Sequence, residues 1–201
     1  MSILITTAYL PPIALISECV NSKKVIIEAF ETYSKQTTRN HCIIAGPNGK
    51  QQLTVPVNKV NGNRTLTKDI RISYFQDWQK IHWRSIETAY NNSPFFLYYR
   101  DYFEPFYFRK FDFLIDLNNR ILETVFSTLR LVKEIDVTKQ YEKVPESAVD
   151  LRKDFGSKNP GSACPLKNYT QVFEGKTGFI PNLSIIDLIF NLGPEAGEFY
   201  F

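Results

Sequence analysis

The sequence is poor in the groups from which most recognisable active sites are made. It has two histidines, His41 and His82, and three cysteines, Cys19, Cys42 and Cys164, with no CxxC pair. Two histidines with no carboxylate at ligand spacing do not build a metal centre. An odd, scattered set of thiols builds neither a secreted disulfide framework nor a structural zinc site. No metal and no cofactor are therefore expected. No GxGxxG, Walker loop, HExxH or GxSxG occurs, so the common dinucleotide, nucleotide, zinc-protease and esterase signatures are missing. Charge of one sign is also scarce, because 24 Lys and Arg stand against 21 Asp and Glu. A nucleic-acid binder normally carries a dense basic patch, so no nucleic-acid partner is expected. No run approaches the ~20 apolar residues of a membrane span. The start, MSILITTAYLPP, lacks the basic and apolar regions of a secretory leader. These absences lead us to expect reduced thiols in a soluble, cytoplasmic chain.

Apolar residues are plentiful, at 43%, and suffice for one domain spanning residues 1–201. Aromatics are the outlying feature, at 14% of the chain, with many between residues 74 and 113. Most belong in a core, but the polar handles of Tyr and Trp also suit a pocket wall.

Residues 3–7 (ILITT) read as a buried strand, broken by Tyr9-Leu10-Pro11-Pro12. Residues 13–20 read as a short helix and 24–30 as a second strand. This β-α-β opening puts a turn where open α/β sheets hold ligands. Residues 41–45 and 51–57 flank Gly46-Pro47-Asn48-Gly49, a hairpin signal. A short strand is expected at 70–73, helices at 77–90 and 112–133, and one or two short helices over 95–107, interrupted near Pro105. Beyond Glu134 the pattern weakens. Residues 153–167, with Lys153, Lys158 and Lys167, form a Gly-, Ser- and Pro-rich loop. It is expected to be mobile without ligand and is either solvated or in contact with an anion. A helix follows at 185–192, stopped by Gly193-Pro194. The expected fold is α/β: a small mixed sheet from the first two strands and the hairpin region, packed by the central helices. The last helix is too apolar to stand alone and should return to the sheet.

His82 is the sharpest single residue. Trp78 lies four positions before it and Ile86 four after, so His82 and Ser85 share the inward face of their helix. A polar pair there must be hydrogen-bonded. It is either a satisfied structural group or a base facing a pocket. Arg39 suits a bidentate grip on a carboxylate or phosphate, and Asn40 suits an amide or hydroxyl; the alternative is a solvated loop. His41 opens a strand and is expected at the surface. Cys42 sits in a buried strand with little to lower its pKa, so it is not expected to act as a thiolate.

Several blocks occur in order: Tyr9-Leu10-Pro11, Arg39-Asn40, Leu53-Thr54-Val55-Pro56-Val57, and His82-Trp83-Arg84-Ser85-Ile86 running to Pro94-Phe95-Phe96. They are followed by Tyr169-Thr170-Gln171-Val172-Phe173, Pro181-Asn182-Leu183-Ser184 and Gly193-Pro194. As a set these resemble the WbqC-like protein family over nearly the whole chain. Thr6-Thr7-Ala8 stands where many relatives carry His or Gln before a Pro-x-Tyr-Leu-Pro start. The resemblance implies a role in bacterial surface-polysaccharide biosynthesis of the O-antigen kind. The activity implied is small-group transfer onto a nucleotide-linked or lipid-linked sugar, with a sugar or acyl donor as the small-molecule partner. His82 would then be the catalytic base, Arg39 the anion anchor, and Tyr9, Asn40, Ser85 and Gln171 substrate-binding groups. The alternative is a non-catalytic binding or accessory protein of the same pathway. A nucleotidyltransferase-like enzyme would also open β-turn-α-β, but the usual histidine pair is absent from residues 8–15.

Overall fold

A computed structural model describes residues 1–156, 159–160, 167–198 and 201. The chain opens with β1 (Ser2–Thr6), α1 (Ile13–Asn21) and β2 (Lys24–Glu28). A hairpin of β3 (His41–Gly46) and β4 (Gly49–Thr54) follows, then the short pair β5 (Val57–Asn58) and β6 (Arg71–Ile72). The central helices are α2 (Trp78–Tyr90), α3 (Phe96–Phe103) and α4 (Leu114–Thr128), with a 3-10 turn at Glu104–Tyr107. Four more strands, β7 (Glu134–Val137), β8 (Val149–Asp150) and the short antiparallel pair β9 (Phe155–Gly156) and β10 (Asn159–Pro160), precede the C-terminal helices α5 (Glu174–Thr177), α6 (Ile185–Leu192) and α7 (Glu195–Glu198).

The main sheet has the order β7-β2-β1-β8, and every pairing in it is parallel. The expected α/β class, β-α-β opening, hairpin and central helices are all present. The hairpin, however, forms a two-stranded sheet of its own, and its place in the main sheet is taken by β7 and β8. Those two strands carry no apolar alternation to announce them. In β7 only Ile135 turns partly inward, and Lys24 on β2 bridges to both Glu134 and Asp136 at 2.6 Å.

The C-terminal helix returns to the opening turn, as its apolar face requires. The Ile185 amide donates to the Pro11 carbonyl at 2.8 Å, and the Ser184 hydroxyl to the Leu10 carbonyl at 2.9 Å. Phe190 on α6 is fully buried and meets Phe96 and Phe103 edge-on at 5.1 and 5.7 Å. Most of the core is one continuous apolar cluster from β1 to α7.

Candidate functional site

From β1 the chain steps outward through β2 to β7, while β8 lies on the other side of β1. The loops leaving the carboxyl ends of β1 and β8 therefore diverge. In parallel sheets that divergence is the crevice where ligands sit. A cleft of about 420 Å³ opens there, bordered by Leu10 and Pro12 from the first loop and Phe155 from the second. Thr38 ties the two loops together: its carbonyl accepts the Tyr9 amide at 2.8 Å, and its hydroxyl donates to the Phe155 carbonyl at 2.9 Å.

The hairpin supplies a wall. Side chains alternate along a strand, and the register pairs Ile43 with Gln52 and Ala45 with Lys50. His41, Ile43, Lys50 and Gln52 thus share the face that borders the cleft. His41 was expected at the surface and is instead buried. Its Nδ1 has no partner among the described residues. Burial lowers its pKa, so the ring is neutral at pH 7 and keeps a lone pair. Cys42 borders the cleft too, but burial pushes its thiol well up, which leaves it protonated and unreactive.

The far wall is Asn182–Ser184. Pro12 and Ser184 are the N-cap positions of α1 and α6, so two helices begin at this cleft with the positive ends of their dipoles. Their first amides are already used, since Ile13 donates to the Leu183 carbonyl at 3.0 Å and Ala14 to Asn182 Oδ1 at 2.9 Å. Among the described residues no carboxylate lines the cleft, and Lys50 is its full positive charge. Leu10 and Asn182 border it with φ of 42° and 54°. A branched leucine in that region is a true outlier, held by its surroundings, and such positions gather at binding sites.

The residues singled out in the sequence lie elsewhere. Tyr9 and His82 do come together, with the Tyr9 hydroxyl 2.9 Å from His82 Nδ1 and 2.9 Å from the Tyr107 hydroxyl. His82 itself is sealed: it is 4% exposed and borders no cleft among those described. Burial drives the His82 pKa down to about 4, against a smaller upward effect of a hydrogen bond with the Thr54 backbone. Arg39 is committed to Glu31 at 2.7 Å and to the Thr37 hydroxyl at 3.0 Å. The Asn40 side-chain amide donates to the Val55 carbonyl at 3.0 Å. The Ser85 hydroxyl accepts from Gln51 at 3.0 Å. Gln171 clasps both backbone groups of Ile180 at 2.8 Å and donates to the Tyr169 hydroxyl at 3.2 Å. Tyr169 in turn donates to Asp187 at 2.5 Å, and burial pushes the Asp187 carboxyl up to about 6. Lys153 is exposed, whereas Lys158 and much of the 153–167 segment lie outside the described residues.

His41, Lys50, Gln52, Asn182 and Ser184 were not proposed from the sequence. The signal available was the period-2 spacing of His41 with Ile43 and of Lys50 with Gln52 on either side of the turn.

Among the described residues no helix is long and apolar enough to cross a membrane. The chain is 27% identical over 194 residues to the uncharacterized protein Rv1507c of Mycobacterium tuberculosis (strain ATCC 25618 / H37Rv), covering 83% of each chain. No solved structure matches it. The model of the WbqC-like protein family matches residues 7–162, and the chain belongs to that family.

Proposed function

We propose that this protein takes a small anionic ligand, a nucleotide-linked or lipid-linked sugar or an acyl donor, in the cleft between the loops after β1 and β8. There it transfers a small group in the making of a bacterial surface polysaccharide. One observation carries the reading: among the described residues the crevice of the parallel sheet is free of carboxylates and holds one lysine and one neutral histidine. Lys50, with the dipoles of the two helix starts, favours a phosphate or carboxylate. Leu10, Ile43, Phe155 and Leu183 suit an apolar portion of the ligand. Thr38, Gln52 and Asn182 offer hydrogen bonds that fix its orientation. In this reading His41 is the base that takes the proton from an acceptor hydroxyl or amine. Tyr9, Arg39, Asn40, His82 and Gln171 are positioning residues in the walls behind it.

A second reading, an accessory protein that binds the same ligand without turning it over, draws on the sealing of His82 and the protonated state of Cys42. The two separate in one experiment. Sugar nucleotides and acyl donors are screened for a rise in melting temperature, since a ligand bound by the native state alone must raise it. Any hit is retested on Lys50→Ala and His41→Gln. The transferase reading expects Lys50→Ala to weaken binding, and His41→Gln to keep binding and lose turnover. Binding with no turnover in the unaltered protein supports the accessory reading. A hit that Lys50→Ala and Gln52→Ala leave untouched removes the cleft from both.

A further inference from the structure

A second depression lies away from this cleft, along the first turns of α2. It holds about 510 Å³ and is lined by aromatic rings, among them Trp78, Trp83, Tyr107 and Phe108. Its rim is fixed at two points. The Gln79 side-chain amide donates to the carbonyls of Phe106 and Arg109, at 2.9 and 2.5 Å. The Tyr74 hydroxyl donates to the Phe111 carbonyl at 3.1 Å and accepts the Phe111 amide at 2.8 Å. The groove is therefore a built feature and not a gap between loose loops.

Its chemistry differs from that of the first cleft. Asp77 and Glu87 line it together with Lys80, Arg84 and Lys110, so both signs are present. Lys80 and Arg84 make no ion pair among the described residues and are exposed. Trp78 is 3% exposed, and its indole N–H has no acceptor among the described residues. A buried donor left in that state is costly, and a hydroxyl or a bridging water would satisfy it. Phe108 stands 74% exposed at the edge.

We infer that this groove is a second ligand site and that it takes a neutral saccharide. A sugar ring offers an apolar C–H face and a rim of hydroxyls that both donate and accept. The exposed Phe108 ring and the half-buried Tyr74 suit the first, and side chains of both charges suit the second. Lys80, Arg84 and Lys110 outnumber Asp77 and Glu87 by one, so the groove favours neither strong charge, and a purely apolar ligand would leave this polar rim without partners. The inference stands apart from the proposed function: it concerns other residues and an uncharged ligand.

Trp78 and Trp83 are the two tryptophans of the chain, and both line this groove. Intrinsic tryptophan emission therefore reads the site directly. The probes are maltotriose, lactose and N,N′-diacetylchitobiose, with inorganic phosphate as the anionic comparison. At least one saccharide should change the emission saturably, and phosphate should not. Arg84→Ala, an exposed change that spares the fold, should weaken that response about tenfold or more. Lys50→Ala in the first cleft should leave it unaltered. Absence of a saturable change with all three saccharides would overturn the inference. So would a response that survives Arg84→Ala and Asp77→Ala but disappears in Lys50→Ala, because the sugar would then sit in the first cleft. Neither result bears on the melting shifts by which the first cleft is tested.

Discussion

His82 and Asp187 are both buried, and they titrate in opposite senses. His82 falls from an ordinary histidine value to about 4 on folding, so the unfolded chain binds its proton more readily. Its contribution is complete above about pH 6.5 and is lost as the pH falls through 4. His41 is lowered as well and acts in the same direction. Asp187 rises to about 6, so the folded chain holds its proton more tightly. Its contribution is complete below about pH 4 and is lost as the pH rises through 6. His82 and Asp187 are each worth on the order of 3 kcal/mol, and they largely cancel between those limits. Asp187→Asn should expose the histidine slope: urea midpoints that fall clearly on acidification from about pH 7 to 4.5. His82→Gln should expose the aspartate slope and move the midpoints the other way. Identical pH profiles for both variants and the parent would show that neither group is perturbed as described.

Arg39 makes a second test at this scale. Its guanidinium and the Glu31 carboxylate are 7% and 13% exposed, and Thr6 also donates to Glu31 at 2.6 Å. Arg39→Ala strands a buried carboxylate and should cost about 3–5 kcal/mol. The paired change with Glu31→Gln should recover much of that in a double-mutant cycle. The inward position of His82 was legible from its helical spacing. What the spacing could not say is whether that inward face meets a cleft or a dry core, because the answer depends on which distant rings pack over it. Here they are Tyr9 and Trp78, with ring centroids 5.7 and 5.1 Å away.

Among the elements, those with strong internal period were readable and those defined by their neighbours were not. The helix expected to continue to residue 133 ends at Thr128. Arg130 takes φ of 56°, the Leu131 amide bonds back to Phe126 at 2.8 Å, and the Arg130 amide to Ser127 at 3.0 Å. This is a Schellman ending with arginine where glycine is usual, so the sequence carries no stop mark. The edge strand β7 and the two-residue β8 exist because β1 and β2 offer unpaired edges, which no local pattern encodes. Gly193, by contrast, was a visible stop, and the structure adds a reason beyond its φ of 57°. A Cβ there would lie 2.5 Å from the Phe95 ring. Gly193→Ala should therefore cost both the left-handed penalty and the clash, about 2 kcal/mol or more, read as a lowered thermal midpoint. Gly175→Ala has open space at its Cβ and should be nearly neutral.

At the level of the whole molecule, the family match ends at residue 162, yet one wall of the cleft and a face of the core come from beyond it. Ser184 receives the chain from β3, its amide bonding the Ile43 carbonyl at 2.8 Å, and α6 then buries Ile185, Leu188, Ile189 and Phe190 completely. Each such side chain is worth about 1.5–3 kcal/mol on burial, so the four together supply roughly 6–12 kcal/mol. That range overlaps the entire net stability of an ordinary domain, about 5–15 kcal/mol. Removal of the helix also opens the Tyr90, Phe96 and Phe103 rings that Phe190 covers. It leaves the Pro11 and Leu10 carbonyls without the donors they now have. A chain ending at residue 181 should consequently show no cooperative thermal transition. Supplying residues 182–201 as a separate peptide should restore little, because the peptide must give up its freedom to bind where the intact chain does not. A truncated chain that still melted cooperatively and kept its ligand response would mean that residues 1–181 fold alone. The Asn182–Ser184 wall would then be dispensable to the cleft.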